Sequence, residues 1–216
     1  MGTRERRERE KAERRQFIFE RARELFLSKG YTNTSMDEIA DVCELSKGTL
    51  YLYFKNKEEL AVSVVNSVIS ELRSVLERAV EGAVSGMEAL QRVLGAYRAF
   101  FRQHVNEFYF SASLELVAGK TGAKNARFDD AYSGVESLLS VLVGVIKQGM
   151  RDGSVRSDID PQKAAFAVAS IVKGFLQSMA AGQPDRLLSP QYKKEELIDY
   201  SLNLFLDALR PERSTV

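Results

Sequence analysis

A chain of 216 residues is long enough for one large domain, or for a small domain joined to a larger one. Apolar residues make up 44% of it, and 4 prolines and 14 glycines interrupt the pattern too rarely for a fold of many short strands. One cysteine, Cys43, excludes an internal disulfide, and one histidine, His104, leaves no Cys/His metal cluster, so no metal or other cofactor is expected. No stretch free of Asp, Glu, Lys and Arg is longer than residues 174–184, which is far short of the ~18 apolar residues a membrane span needs. The N-terminal charges have no apolar run behind them, so a secretory signal is not expected and the cytoplasm is the expected compartment. The formal net charge of +1 is unevenly spread: residues 1–57 carry 13 Lys/Arg against 10 Asp/Glu, and the rest carries 18 against 20. That asymmetry supports an N-terminal segment that meets phosphate.

Residues 4–15 alternate Arg and Glu with little apolar content. They read as a solvated helix or frayed arm, with phosphate contact as the second reading. Ile18, Ala22, Leu25 and Phe26 then follow the spacing of a helix buried on one face, which Lys29-Gly30 ends. Ser35 can cap a second, short helix and Glu38 can complete a capping box, with Met36, Ile39, Ala40 and Cys43 inward. Ser46 begins a third short helix with Leu50 and Phe54 inward. Asn56 to Glu59 repeats the capping-box pattern and opens a long helix with the stripe Leu60, Val64, Val68, Leu72, Leu76 and Ala79.

A break at 82–86 precedes a helix marked by Leu90, Val93, Leu94, Tyr97, Phe100 and Phe101. Residues 108–116 alternate as a strand would, yet no partner strand is in sight, so a helix is expected there and a loop from Gly119 to Lys124. Leu138, Leu142, Ile146 and Met150 mark a further helix. Pro161 fits the first position of the next, whose stripe is Ala165, Val168, Val172, Phe175, Leu176 and Met179. Residues 182–190 read as a loop, and Leu197, Tyr200, Leu204, Phe205 and Ala208 mark the last helix. The expected fold is all-α with about nine helices: a three-helix domain over 1–56, and a larger helical domain over 57–216.

The informative stretch is Ser35 to Lys57. Two short helices joined by a tight turn cannot bury much surface alone and need the Ile18–Phe26 helix as a third wall. Such a unit presents its last helix outward, at a width that fits the DNA major groove. Ser46, Lys47, Gly48, Thr49, Tyr51, Leu52 and Tyr53 are the candidate contacts. Lys47 supplies charge, Gly48 permits close approach, Thr49 and the tyrosines offer hydroxyls, and Leu52 suits a thymine methyl. At least one tyrosine is expected to pack partly in the core. Lys55 and Lys57 can reach phosphates, and the helix start at Thr34 and Ser35 offers N–H groups to another.

The run Ile39 to Leu60, with Leu25-Phe26, Lys29-Gly30-Tyr31 and Thr34-Ser35 upstream, resembles the signature of the TetR/AcrR family of regulators. The resemblance covers residues 16–62. It implies a homodimeric repressor whose C-terminal domain holds an inducer and the dimer interface. One departure is Glu44, at a turn position often filled by Gly, where a side chain has to accept positive φ.

The dense aromatic set Tyr97, Phe100, Phe101, Phe108 and Phe110, with His104 and Phe175, is the candidate lining for a small apolar or aromatic effector; ordinary core packing is the competing reading. The last two helices carry small residues (Ala165, Ala169, Gly174, Ser201, Ala208) and are expected to pair with their twins as a four-helix bundle. The partners expected are thus a palindromic double-stranded DNA operator, a small-molecule effector and a second copy of the chain. The alternative is a helical DNA-binding dimer with an architectural role, or one controlled by a protein partner. Catalysis is not expected, since the one histidine lies far from Cys43 in sequence and no phosphate-cradling glycine loop occurs.

Overall fold

A computed structural model describes residues 2–121, 126–180 and 192–211. Among the described residues there are nine α-helices and no strand. In chain order they are α1 (Thr3–Lys29), α2 (Met36–Val42), α3 (Lys47–Tyr51), α4 (Lys57–Ala79), α5 (Gly86–Gln103), α6 (Val105–Thr121), α7 (Ala126–Asp152), α8 (Pro161–Ala180) and α9 (Lys194–Leu209). They form two compact units. One comprises Met1–Val68 and Phe110–Ala131, the other Ile69–Tyr109 and Tyr132–Val216.

The first unit is built on α1. Ile18, Ala22 and Phe26 are fully buried on one face, as their spacing requires. Gly30 ends the helix at φ +78°, donating its N–H to the Phe26 carbonyl at 2.9 Å. Ser35 caps α2, its hydroxyl accepting the Glu38 N–H at 3.1 Å. The expected capping box does not close, because the Glu38 carboxylate pairs with Lys29 instead. At the start of α4 the Asn56 side chain accepts the Glu59 N–H at 2.8 Å, while the Glu59 carboxylate accepts the N–H of Lys55 rather than that of Asn56. Met36, Ile39, Ala40, Cys43, Leu50 and Phe54 are buried as expected, and Leu60, Ala61 and Val64 of α4 share their core. Burial pushes the Cys43 thiol pKa up, which suits a packing role.

Glu44, between α2 and α3, sits at φ +54° and is the one non-glycine residue with positive φ among the described residues. The turn therefore takes the left-handed geometry without a glycine, at a cost of roughly 1–2 kcal/mol.

In the second unit the backbones of α5 and α7 touch. A Cβ on Gly86 would fall on the backbone of Gly149, and one on Gly149 would fall on the Val155 side chain. The Asp152 carboxylate fastens this crossing by accepting the N–H groups of Gly86 at 2.7 Å and Ser154 at 2.9 Å, and the Ser154 hydroxyl, followed by these two N–H groups, lowers its pKa. Pro161 takes the first position of α8, behind Asp160, whose carboxylate accepts the N–H groups of Gln162 and Lys163.

Three expectations change. Gly119–Thr121 continue α6 as helix, because the apolar, Ala- and Leu-containing run before them carries on past the expected loop start; 122–125 and the expected loop at 182–190 lie outside the described residues. In α9 the inward face is Ile198, Leu202, Leu206 and Leu209, whereas Tyr200, Leu204 and Ala208 point to solvent. The helix has two apolar stripes, and the one that periodicity singles out is the outer. Ala165, expected among the small residues of the outward face, is fully buried within the chain's own core.

Candidate nucleic-acid interface and aromatic cluster

Helix α3 is short because its two ends are fixed by local bonds. Ser46 caps it, accepting the Thr49 N–H at 3.2 Å and sharing a hydroxyl contact of 2.8 Å with Thr49. Leu50, fully buried, pins the inner side, and the Phe54 N–H returns to the Leu50 carbonyl at 3.1 Å. The outer side then presents Lys47, Gly48, Tyr51 and Leu52 to solvent, with Leu52 77% exposed. Exposing a leucine to this degree serves no packing purpose. Gly48 has no internal reason to be glycine either, since a Cβ there would meet only the Ser46 hydroxyl at 4.0 Å. Tyr53 packs partly on the core, whereas Tyr51 stays outside.

The structure gives other work to two residues read as phosphate contacts. Thr34 is 2% exposed, and its hydroxyl donates to the Gly30 carbonyl at 2.9 Å. The Lys57 ammonium donates to the carbonyls of Tyr31 at 3.0 Å and Thr34 at 2.8 Å and lies over the Tyr31 ring. Lys57 thus ties the start of α4 to the α1–α2 turn, while the Thr34 hydroxyl closes that turn on itself. Tyr31 itself has its hydroxyl pKa raised by burial, with the Glu58 carboxylate adding to the effect. Ser35 is exposed, although its hydroxyl is engaged in the cap.

The aromatic set separates into two groups. Phe108 meets Phe101 at 5.2 Å, Tyr97 at 5.9 Å and Phe100 at 6.4 Å, all edge-on, and His104 stacks on Phe100 at 4.0 Å. Burial pushes the Tyr97 hydroxyl pKa well above its usual range. His104 has Glu71 3.6 Å from Nε2 and Glu107 3.7 Å from Nδ1, yet Nδ1 is buried without a hydrogen-bond partner. Phe110 does not join this group. It stacks on Phe26 at 5.4 Å, in the core of the first unit, because it lies two residues from Phe108 on the same helix and so faces away from it. Phe175 is half-buried on α8. A separate open groove of about 700 Å³ lies in the first unit, between α1 and the α2–α3 turn, with Arg14, Arg21, Cys43 and Glu44 among its walls.

Residues 18–64, which run from the middle of α1 through α2 and α3 into the start of α4, match the model of the family described as bacterial regulatory proteins, tetR family. The N-terminal part of this chain carries the domain of the TetR-family transcriptional regulators. The regulator is 27% identical over 162 residues to the HTH-type transcriptional regulator YhgD of Bacillus subtilis, which covers 74% of this chain and 80% of that one. The TetR-family regulator PfmR of Thermus thermophilus superposes with a TM-score of 0.64 at 25% identity, over 91% of this chain and 99% of the other. The regulator FadR of Bacillus subtilis, solved in complex with stearoyl-CoA, shares the fold with a TM-score of 0.73 at 18% identity, over 90% and 99% of the two chains.

Sequence reasoning missed two features of the regulator's interface. Asp37 pairs with Lys47 at 2.6 Å and holds the lysine's pKa above its usual range. Arg15 lies over the Phe54 ring at 4.1 Å and 3.6 Å from Glu59, joining α1 to the segment behind the recognition helix. Both pairs bridge different helices, so no local spacing announces them.

Proposed function

We propose that this regulator is a ligand-responsive repressor that binds a palindromic operator as a homodimer and lets go when a small apolar effector binds. The observation that carries the DNA part is the outer face of α3, where an exposed leucine, an exposed tyrosine and an unneeded glycine stand together. Ser46, Lys47, Gly48, Thr49, Tyr51 and Leu52 read the major groove, with Lys47 exchanging Asp37 for phosphate on binding. Residues 1–56 form the DNA-binding domain; 57–216 bind the effector and dimerise.

Dimerisation is supported by the outer faces of α8 and α9. Phe166 and Ile171 on α8, and Tyr200 and Leu204 on α9, are all at least half exposed, next to the exposed Gly174 and Ala208. Large apolar side chains gathered on two helices mark an interaction surface, and small residues beside them allow close approach. A two-fold axis through this surface makes it self-complementary, and a palindrome read one turn of DNA apart calls for recognition helices about 34–36 Å from each other.

The effector part is supported by the cluster of Tyr97, Phe100, Phe101 and Phe108, which offers an apolar wall, and by the unsatisfied Nδ1 of His104, which offers one polar handle. Stearoyl-CoA, bound by a solved relative of the same fold, is the first compound to try. The test is footprinting of the purified regulator on its own upstream DNA, with and without stearoyl-CoA and a panel of aromatic compounds. A palindromic footprint erased by one of them is the expected result. No footprint sinks the repressor reading, and a footprint that survives every compound favours control by a protein partner.

A further inference from the structure

The first four turns of α1 carry a second DNA-contacting surface: we propose that Arg7, Lys11 and Arg14 form a stripe that grips the phosphate backbone beside the site read by α3. The inference rests on the DNA-binding reading above and extends it to residues that lie outside the family match at 18–64.

The stripe follows from helix geometry and from which charges are already paired. At about 100° per residue, Arg7, Lys11, Arg14 and Ile18 fall within about 60° of one another around the axis. No acidic residue of the segment falls in that sector. The acids are elsewhere on the helix, and three of them are taken by arginines: Arg4 with Glu8, Arg6 with Glu10 and Arg9 with Glu13. Arg7, Lys11 and Arg14 are exposed and make no ion pair among the described residues. Residues 4–15, with seven Arg/Lys against four Glu, are thus sorted into a neutralised side and a purely cationic side.

Ile18 shows which way the cationic side faces. It is fully buried and belongs to the stripe that packs α1 onto α2 and α3. The cations therefore continue, beyond the edge of the core, the face that α1 turns toward the helix-turn-helix. Two contacts anchor the extension there. Arg15 is held over Phe54 and near Glu59, just behind the recognition helix, and Arg14 walls the groove beside the α2–α3 turn. From Arg14 to Arg7 the helix rises about 10 Å, and long side chains at each turn can follow a strand of phosphates. Phosphate is the partner of matching charge. The contacts carry no base preference, so they add affinity and register rather than sequence choice.

The test is the salt dependence of binding to the duplex recovered by footprinting, measured by fluorescence anisotropy. For Arg7→Gln/Lys11→Gln/Arg14→Gln the slope of log affinity against log salt should become shallower by about 0.9 for each phosphate that loses its cation. Arg7→Gln/Lys11→Gln, which leaves the groove residue Arg14 in place, should give a proportionate part of that change. Glu5→Gln/Glu13→Gln, on the opposite side, should leave the slope unaltered. Circular dichroism of each variant establishes that α1 is still helical. An unchanged slope in both cation variants, with the native chain binding normally, overturns the stripe. Failure of the native chain to bind any upstream DNA overturns instead the reading on which it rests.

Discussion

Gly48 stands in a helix, where glycine costs roughly 0.5–1 kcal/mol relative to alanine, and nothing inside the chain asks for it. Gly48→Ala should therefore raise the stability measured by urea unfolding by about 0.5–1 kcal/mol. The same methyl should weaken retardation of operator DNA, because it holds the backbone away from the groove. A variant that gains stability and binds as before would mean that the glycine has no partner outside either. Lys57 illustrates the reverse relation. Its two carbonyl partners sit 26 and 23 residues upstream, so the sequence displays only a cation following a recognition helix. Lys57→Met keeps the stem and removes the donors, and should cost about 1.5–3 kcal/mol of stability. Its effect on the salt slope of DNA binding should be nil, whereas a phosphate-contacting lysine would shift that slope. Thr34 misleads at shorter range: its N–H turns back to the Tyr31 carbonyl and its hydroxyl to the Gly30 carbonyl, so neither is offered outward.

Helices are legible in this sequence wherever one face is apolar and the other charged. The buried residues of α1, α2 and α4 stand out because Ile18, Ile39 and Leu60 recur at helical spacing among polar neighbours. α9 is harder, since it is apolar on two sides and periodicity alone cannot say which side goes in. What joins the elements is not legible at all. Asp152 ends α7 and, through its bond to the Gly86 N–H, holds the start of α5, 66 residues away. Its pKa is lowered in the folded state, so the stability it contributes is present above the ordinary carboxylate value of about 3.9. That contribution is lost as pH falls through the lowered value. Asp152→Asn should therefore be less stable than the native chain at pH 7, and the difference should narrow in urea melts at pH 3. A difference of equal size at both pH values would show that the carboxylate charge is not what holds the crossing.

The proposed reading of a palindrome makes the place of a second copy decisive. If the outer faces of α8 and α9 meet across a two-fold axis, Phe166→Lys with Leu204→Lys should halve the mass seen in sedimentation while leaving helicity intact. Operator retardation should disappear with it, since each half-site alone offers too few contacts. A dimer that survives both lysines would move the axis elsewhere. The close approach of Gly86 and Gly149 bears on how such an assembly can respond to a bound molecule. With the two main chains touching, a shift of one residue along either axis would drive Ser85, Met87, Gln148 or Met150 into the opposing backbone. Translation is therefore blocked at this point, while tilting about it is not. The crossing behaves as a fixed fulcrum: a guest lodged farther along α5 or α7 can only swing the free ends apart, and a small displacement near the pivot grows with distance from it.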